Sequence, residues 1–394
     1  MIGTQIQGVA IAWEMYQLTG EALALGFVGL AQAAPTMIFA LPSGYLADRY
    51  SRKLMLVISL VGMTITSILL AVVSYTSGSV ALMYALLALD ATFVTLGRPA
   101  RSAILPQLVP RDIFPNAVAW NLNMMKLSWM TGPAIGGLVI LWSVPLAFVL
   151  AAVGSTLCAV LMARMSFRGR GSAGSEPPIQ ALVGGLKFIR DNRLVLSLMS
   201  LDMFAVLFGG AVYLLPIYAE DILLVGPQGF GWLRAAPAVG AFCMSMLIAH
   251  LPPMKRAGRN LLMAVGAFGL VTIVFGVSTS FWLSFAMLFL TGLFDSVSMV
   301  VRHTLIQLAT PDEMRGRVSA VSGVFISASN ELGGLESGVV AHWFGPVASV
   351  VSGGLGTIGV VMAMALVSPR LRRHGSLTEP DRQKTTTESR LRSG

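Results

Sequence analysis

Charge is scarce in this chain: only 11% of its 394 residues are Asp, Glu, Lys or Arg, against 55% apolar. A soluble protein of this size needs far more charge to cover its surface, so a water-soluble globule is excluded. Cysteine is nearly absent. Cys158 and Cys243 each stand in an apolar run and read as small core residues, which excludes a disulfide framework and a metal centre. The four histidines, His250, His303, His342 and His374, stand alone. No Ser-His-Asp, HExxH or P-loop pattern occurs. An enzyme reading therefore has no chemistry to rest on, and no cofactor is expected.

What the chain has instead is long apolar runs and 41 glycines, a composition suited to closely packed membrane helices. It predicts an all-α membrane protein with about twelve spans of ~20 residues each. Those spans fall at 1–19, 23–47, 54–75, 79–97, 117–141, 145–165, 194–219, 229–251, 260–278, 280–301, 318–341 and 346–368. The net charge of +9 would suggest nucleic acid in a soluble chain. Its placement argues otherwise. All but two of the 27 Lys and Arg residues fall in alternate loops, at the span ends adjoining them, or in the tail. The exceptions, Lys126 and Arg234, lie inside spans. By the positive-inside rule the basic loops and both termini face the cytoplasm. The first span is short for a hydrocarbon core of ~30 Å and has no basic residue ahead of it, so the expectation is a clipped first helix. A signal peptide is rejected, since it needs a basic start and a longer apolar centre.

Four regions follow: a six-helix half at 1–165, a cytoplasmic linker at 166–192, a second six-helix half at 193–368 and a polar, disordered cytoplasmic tail at 369–394. Within the linker, 166–178 reads as flexible and basic, and 179–192 as a short amphipathic helix at the membrane surface. The halves echo each other at an offset of about two hundred residues, a repeat signal. Arg101 to Pro110 returns as Arg302 to Pro311. Leu46 to Met55 returns as Lys255 to Leu262. Asp90 and Asp295 each precede the matching basic segment within an apolar helix.

Two motifs carry more. Gly44 to Lys53 has the form Gly-x-x-x-Asp-Arg-x-x-Arg-Lys, with Asp48, Arg49 and Arg52 between. In the fifth span Ser128, Gly132 and Gly136 recur every four residues, with Pro133 and Gly137 beside them. That spacing makes one smooth stripe for close helix packing, and Pro133 loosens the helix. Together with Gln5–Trp13, Leu18–Gly20 and Thr310–Val318, these segments resemble the major facilitator superfamily across essentially the whole chain. The likeness is strongest to the branch of enterobactin exporters and macrolide efflux pumps. The resemblance implies two parallel six-helix halves with a central site near the midplane. It also implies a cytoplasmic gate at Gly44, Asp48, Arg49, Arg52 and Lys53, and an exporter-type antiporter motif at Ser128, Gly132, Pro133, Gly136 and Gly137. Drug antiporters outside this branch usually carry an arginine in the middle of the fourth helix. Asp90 stands in that region here.

Asp90, Lys126, Asp202, Asp295, Glu331 and Glu336 lie well inside spans. Each buried charge costs about 2.5–3.5 kcal/mol on insertion scales, so six cost on the order of 15–20 kcal/mol before pairing. A polar cavity with proton-exchanging acids accounts for that cost, and so does a buried ion-pair network that only specifies packing. Asp90 and Lys126 are the first choice for a coupled pair. Glu14 and Arg234 lie nearer a membrane face, where snorkelling suffices. The combined expectation is a monomeric, multi-pass cell-membrane transporter that exports an amphiphilic small molecule, such as a siderophore or drug, in exchange for protons. Uptake, a lipid-like substrate, and a scaffold or sensor without transport stay open as alternatives.

Overall fold

The computed structural model describes residues 1–110, 112–165, 178–252, 254 and 256–368. Within these it leaves out the side chains of Leu41, Ala47, Asp48, Pro115 and residues 178–182. Most of the expected linker and the whole expected tail, 166–177 and 369–394, lie outside the described residues.

The first half is α1 (Ile2–Thr19), α2 (Ala22–Arg49), α3 (Arg52–Tyr75), α4 (Val80–Leu108), α5 (Phe114–Ile140) and α6 (Val144–Arg164). A short helix, α7 (Pro178–Asp191), leads into the second half. That half opens with α8 (Arg193–Phe208) and continues, after a short α9, with α10 (Gly226–His250), α11 (Ala257–Gly276), α12 (Phe281–Ala309), α13 (Asp312–Phe344) and α14 (Pro346–Val367). Each helix satisfies its backbone polar groups internally and presents apolar side chains outward, which is what a bilayer demands. The connections are tight. Gly20, at φ 65°, ends α1 in the left-handed conformation and returns its N–H to the Tyr16 carbonyl, the usual glycine stop signal.

Two sequence expectations need correction. The span at 194–219 is not one helix. After Phe208 it passes through a 3-10 stretch (Gly210–Leu214), a single turn α9 (Leu215–Ile217) and a π-turn (Tyr218–Ile222). The break coincides with contact against α13: a Cβ on Gly210 would overlap the Gly333 carbonyl, so the backbone can run there only without a side chain. Several helices also continue past the boundaries that hydropathy set. α4 carries Arg98 and Arg101 within it, and α12 carries Arg302. Hydropathy stops at the first charge, whereas a helix continues as long as an arginine can find a partner or reach the interface.

Among the described residues, nine helical segments are long and apolar enough to cross a membrane by composition alone. α1, α5 and α13 fall short, because they carry the polar residues of the two bundles. Across the halves α13 packs along α2 and α5 along α10; α1 packs along α5 and α6 within the first half.

The halves are not joined evenly along their length. At the end away from the termini one buried apolar cluster spans both, with Trp13, Phe148, Tyr218, Phe230 and Phe275 among its members. At the end bearing the basic turns, each half has a separate cluster, one around Leu56, Leu60 and Ile104 and the other around Leu198, Leu261 and Val301. α5 shows the same asymmetry along its own length. Residues 119–124, toward the basic end, are exposed without interruption around the helix, with Trp120 61% exposed. Near its other end, Val139 and Ile140 are buried.

Candidate functional site

The interface between the halves is built on missing side chains. Near the end away from the termini, Gly137 of α5 lies against Gly231 and Pro227 of α10; a Cβ there would meet the Pro227 carbonyl at 2.6 Å and Gly231 Cα at 2.7 Å. On the other side of the molecule Gly26 and Gly29 of α2 meet α13, where a Cβ on Gly29 would come within 2.9 Å of the Glu331 carbonyl. Gly132 and Gly136 face α1 instead, against Gln5 and Val9. Ser128 is buried and turns its hydroxyl to the Met124 carbonyl, 2.8 Å away. Thus the expected stripe divides its work: Gly132 and Gly136 close α5 onto its own half, and Gly137, with the Pro133 carbonyl beside Gly231, closes it onto the other. Trp13 stacks on Phe230 at 5.7 Å and Tyr16 donates to Asp221, and both contacts cross between halves at this same end.

Below that closure sit the embedded charges. Asp90 of α4 accepts from Thr66 Oγ1 at 2.6 Å and from Gln7 Nε2 at 3.2 Å. Gln7 in turn accepts from Ser67 at 2.6 Å. This group draws α1, α3 and α4 together inside the first half. Lys126, half-buried on α5, forms no ion pair with Asp90 or with any other described residue. The expected Asp90–Lys126 pair is therefore not formed in this state. A glutamine and a threonine hold the carboxylate in the lysine's place.

The second half uses the corresponding helices differently. Asp202 of α8 pairs with Arg302 of α12, both only 8% exposed, and Asp295 lies within the same charged group. Arg302 had the look of a loop cation in the sequence; the repeat that aligned it with Arg101 gave no hint of a buried partner. Glu331 of α13 accepts from Tyr213 at 3.0 Å. Arg234 donates to the Val212 carbonyl at 2.9 Å and stands over the Tyr213 ring. It does not snorkel to the membrane face as its position suggested. Arg98 of α4 reaches across to Ser327 of α13 at 3.2 Å. Glu336 lies beside Ser337 on α13, at 3.4 Å. Gln7, Thr66, Ser67, Tyr213 and Arg302 were missed as site residues because uncharged polar groups and helix-end arginines are commonplace in sequence. The quantity that distinguishes them is the neighbour, which only folding supplies.

The gate segment is held within its own half in this state. Gly44 has nothing within 4 Å of where a Cβ would stand, so it makes no close approach in this state. Arg49 donates to the Tyr45 hydroxyl at 3.1 Å, Arg52 to the Ala103 carbonyl at 3.5 Å, and Lys53 to the carbonyls of Ala163 and Met165 at 2.8 and 2.6 Å. These bonds stay within the first half, and Lys53 satisfies carbonyls at the end of α6. The Asp48 side chain lies outside the described residues. No group of three or more His, Cys, Asp or Glu side chains suited to a metal occurs among the described residues.

Comparison with known proteins agrees with this geometry. The sequence matches the transmembrane secretion effector family over residues 1–387. The enterobactin exporter EntS of Escherichia coli O1:K1 is 25% identical over 382 residues, covering 95% of this chain and 90% of the exporter. EntS of Shigella dysenteriae serotype 1 is 25% identical over 380 residues, with 94% and 90% covered. In three dimensions the chain is similar to a peptide transporter, POT, crystallised with sulfate (TM-score 0.71, 15% identity, 94% and 93% covered). It is also similar to the nucleoside transporter NupG (TM-score 0.70, 12% identity, 95% and 99% covered). At these identities the structural likeness speaks for the fold alone.

Proposed function

The chain belongs to the transmembrane secretion effector family of the major facilitator superfamily, a family of multi-pass membrane transporters and not of enzymes, and we propose that it exports an amphiphilic small molecule in exchange for protons. The observation that carries this reading is the lopsided closure: one end sealed by Gly137–Gly231 and Gly26–Gly338 backbone contact, the other with separate cores. A carrier caught in one of two access states has this form. With the basic end in the cytoplasm, this is the state that receives cargo from inside. The free gate glycine, Gly44, agrees with a cytoplasmic latch that engages only in the other state.

Asp90 is the proposed proton site. Both hydrogen bonds it accepts come from neutral donors, so it can gain or lose a proton without breaking an ion pair. Lys126, without an ion-pair partner among the described residues, sits on the α5 helix that moves against α10 and is proposed to respond to that charge. Glu331 and Glu336, on the cross-half helix α13, are proposed to line the path. Asp202 is tied to Arg302 in a buried ion pair, which suits a packing role better than proton exchange. Exporters of enterobactin are among the relatives, which makes that siderophore the first substrate to try.

The test is uptake into inside-out vesicles of this siderophore, a macrolide and a cationic dye, with and without a protonophore. ATP-independent accumulation that the protonophore collapses supports the proposal, and accumulation unaffected by it refutes proton coupling. Asp90→Asn is expected to abolish accumulation while leaving the folded yield intact. Movement only in the opposite direction refutes export.

A further inference from the structure

Glu14 of α1 is the one embedded acid in the first half that the proposed cycle does not use. Its position near a membrane face suggested that it would snorkel, yet it is only 7% exposed. Ser74 of α3 lies against the same carboxyl, but neither Glu14 Oε2 nor Ser74 Oγ completes a hydrogen bond among the described residues. An ionised carboxylate so placed costs several kcal/mol unless a partner offsets it. Glu14 forms no ion pair among the described residues. Of the tyrosines nearby, Tyr16 on the same helix donates to Asp221, Tyr84 of α4 donates to the Ala24 carbonyl, and Tyr75 of α3 is turned out to the surface.

The register of the two helices places Glu14 in a series. Gln7 and Glu14 are seven residues apart on α1, and Ser67 and Ser74 are seven apart on α3, so each pair shares a helix face. Two polar layers result, roughly 10 Å apart by helical rise: Gln7–Ser67, which holds Asp90, and Glu14–Ser74, nearer the sealed end. Between them on the same faces stand Ala10 and Leu70, both fully buried. At the lower layer Asp90 has two hydrogen-bond donors, Gln7 and the neighbouring Thr66, whereas Glu14 Oε2 in the upper one has none among the described residues.

We propose that Glu14 is the outward-side proton carrier of this transporter and delivers protons to Asp90. The step is a simple transfer. The Glu14 O–H bond breaks, an O–H bond forms on Asp90 through water admitted between the layers, and water outside returns a proton to Glu14. The Ala10–Leu70 layer is what prevents this transfer, and so a proton leak, while the inner side is open. The proposal rests on the proton-coupled reading above.

The experiment needs no known cargo. Dicyclohexylcarbodiimide attacks protonated carboxyl groups in membranes, and mass spectrometry locates the adducts. The intact protein is labelled in sealed vesicles whose inner and outer pH are set independently. Glu14 is expected to lose most of its labelling when the outward face alone is made alkaline, and to ignore the cytoplasmic face. In Glu14→Gln, Asp90 labelling is expected to stop following the outward pH but to keep following the cytoplasmic pH. Glu14 labelling that is constant, absent, or governed by the cytoplasmic face overturns the proposal, and that arm uses the unaltered chain. If Asp90 responds to neither face, the proton-coupled reading itself fails; if Asp90 responds and Glu14 does not, only this inference does.

Discussion

Gly137→Ala is a one-methyl test of the access state. The added Cβ would lie 2.6 Å from the Pro227 carbonyl oxygen and 2.7 Å from Gly231 Cα, where ordinary contact begins at 3.4 Å. Both obstacles are α10 backbone, so no rotamer change relieves them, and α5 and α10 must part by several tenths of an ångström. Overpacking of this kind costs about 1–3 kcal/mol. The contact exists only while this end is closed, so the cost falls on one state alone. The equilibrium should shift toward the state open at this end by about 5- to 150-fold. Spin labels at Trp142→Cys and Leu224→Cys report the opening, since these positions are 82% and 79% exposed and lie at this end on opposite halves. Cys158 and Cys243, which are exposed and not the core residues that the sequence suggested, are first replaced by serine. The longer-distance population measured by double electron–electron resonance should grow in Gly137→Ala. It should not change in Gly154→Ala, where nothing lies within 4 Å of the new methyl. A folded Gly137→Ala protein with the parent's distance distribution would refute the argument that this glycine contact holds the state closed.

Three further outcomes are expected. Arg302→Met leaves the buried Asp202 and the half-buried Asp295 without their cation and should destabilise the protein by about 3–5 kcal/mol. Adding Asp202→Asn should recover part of that loss in chemical denaturation, and strictly additive effects would show that the pair is not coupled. Gly185→Ala would place a methyl 2.9 Å from the Arg317 carbonyl and so lift α7 from α13, whereas Gly184→Ala meets nothing closer than 3.5 Å. Hydrogen exchange of the α7 amides should rise in the first variant only. Leu70→Ser brings a hydroxyl into the layer between Glu14 and Asp90, and should admit a substrate-independent proton leak into proteoliposomes, read with a pH-sensitive dye. An unchanged leak rate would remove Leu70 as the barrier.

Particular residues mark where sequence reading succeeded and where it stopped. The apolar runs found the helices, because in a bilayer a long run has no other stable backbone conformation. The glycine spacing at Gly132 and Gly136 found a packing stripe, because helical periodicity puts those positions on one face whatever the neighbour is. It could not separate their partner, α1, from that of Gly137, which is α10. Depth along a helix is likewise readable by counting residues, and it placed Asp90 near the midplane. Angular direction toward a partner on another helix is not, so Lys126 was paired with Asp90 while Gln7 and Thr66 held the carboxylate. Glu14 and Arg234 were assigned to the membrane surface by the same count. Their helices instead turn them inward, to a buried site beside Ser74 and to the Val212 carbonyl.

The sequence by itself determined that this is a helical membrane transporter built from two related halves, because hydropathy, repeat and motif are all properties of local order along the chain. The tertiary structure alone decided which end is closed, which acids are paired and which stand apart. Those depend on the relative rotation and tilt of helices far apart in sequence. A single methyl's width at Gly137, or the turn of about a hundred degrees that one residue makes around α1 at Glu14, changes the answer without altering any local pattern.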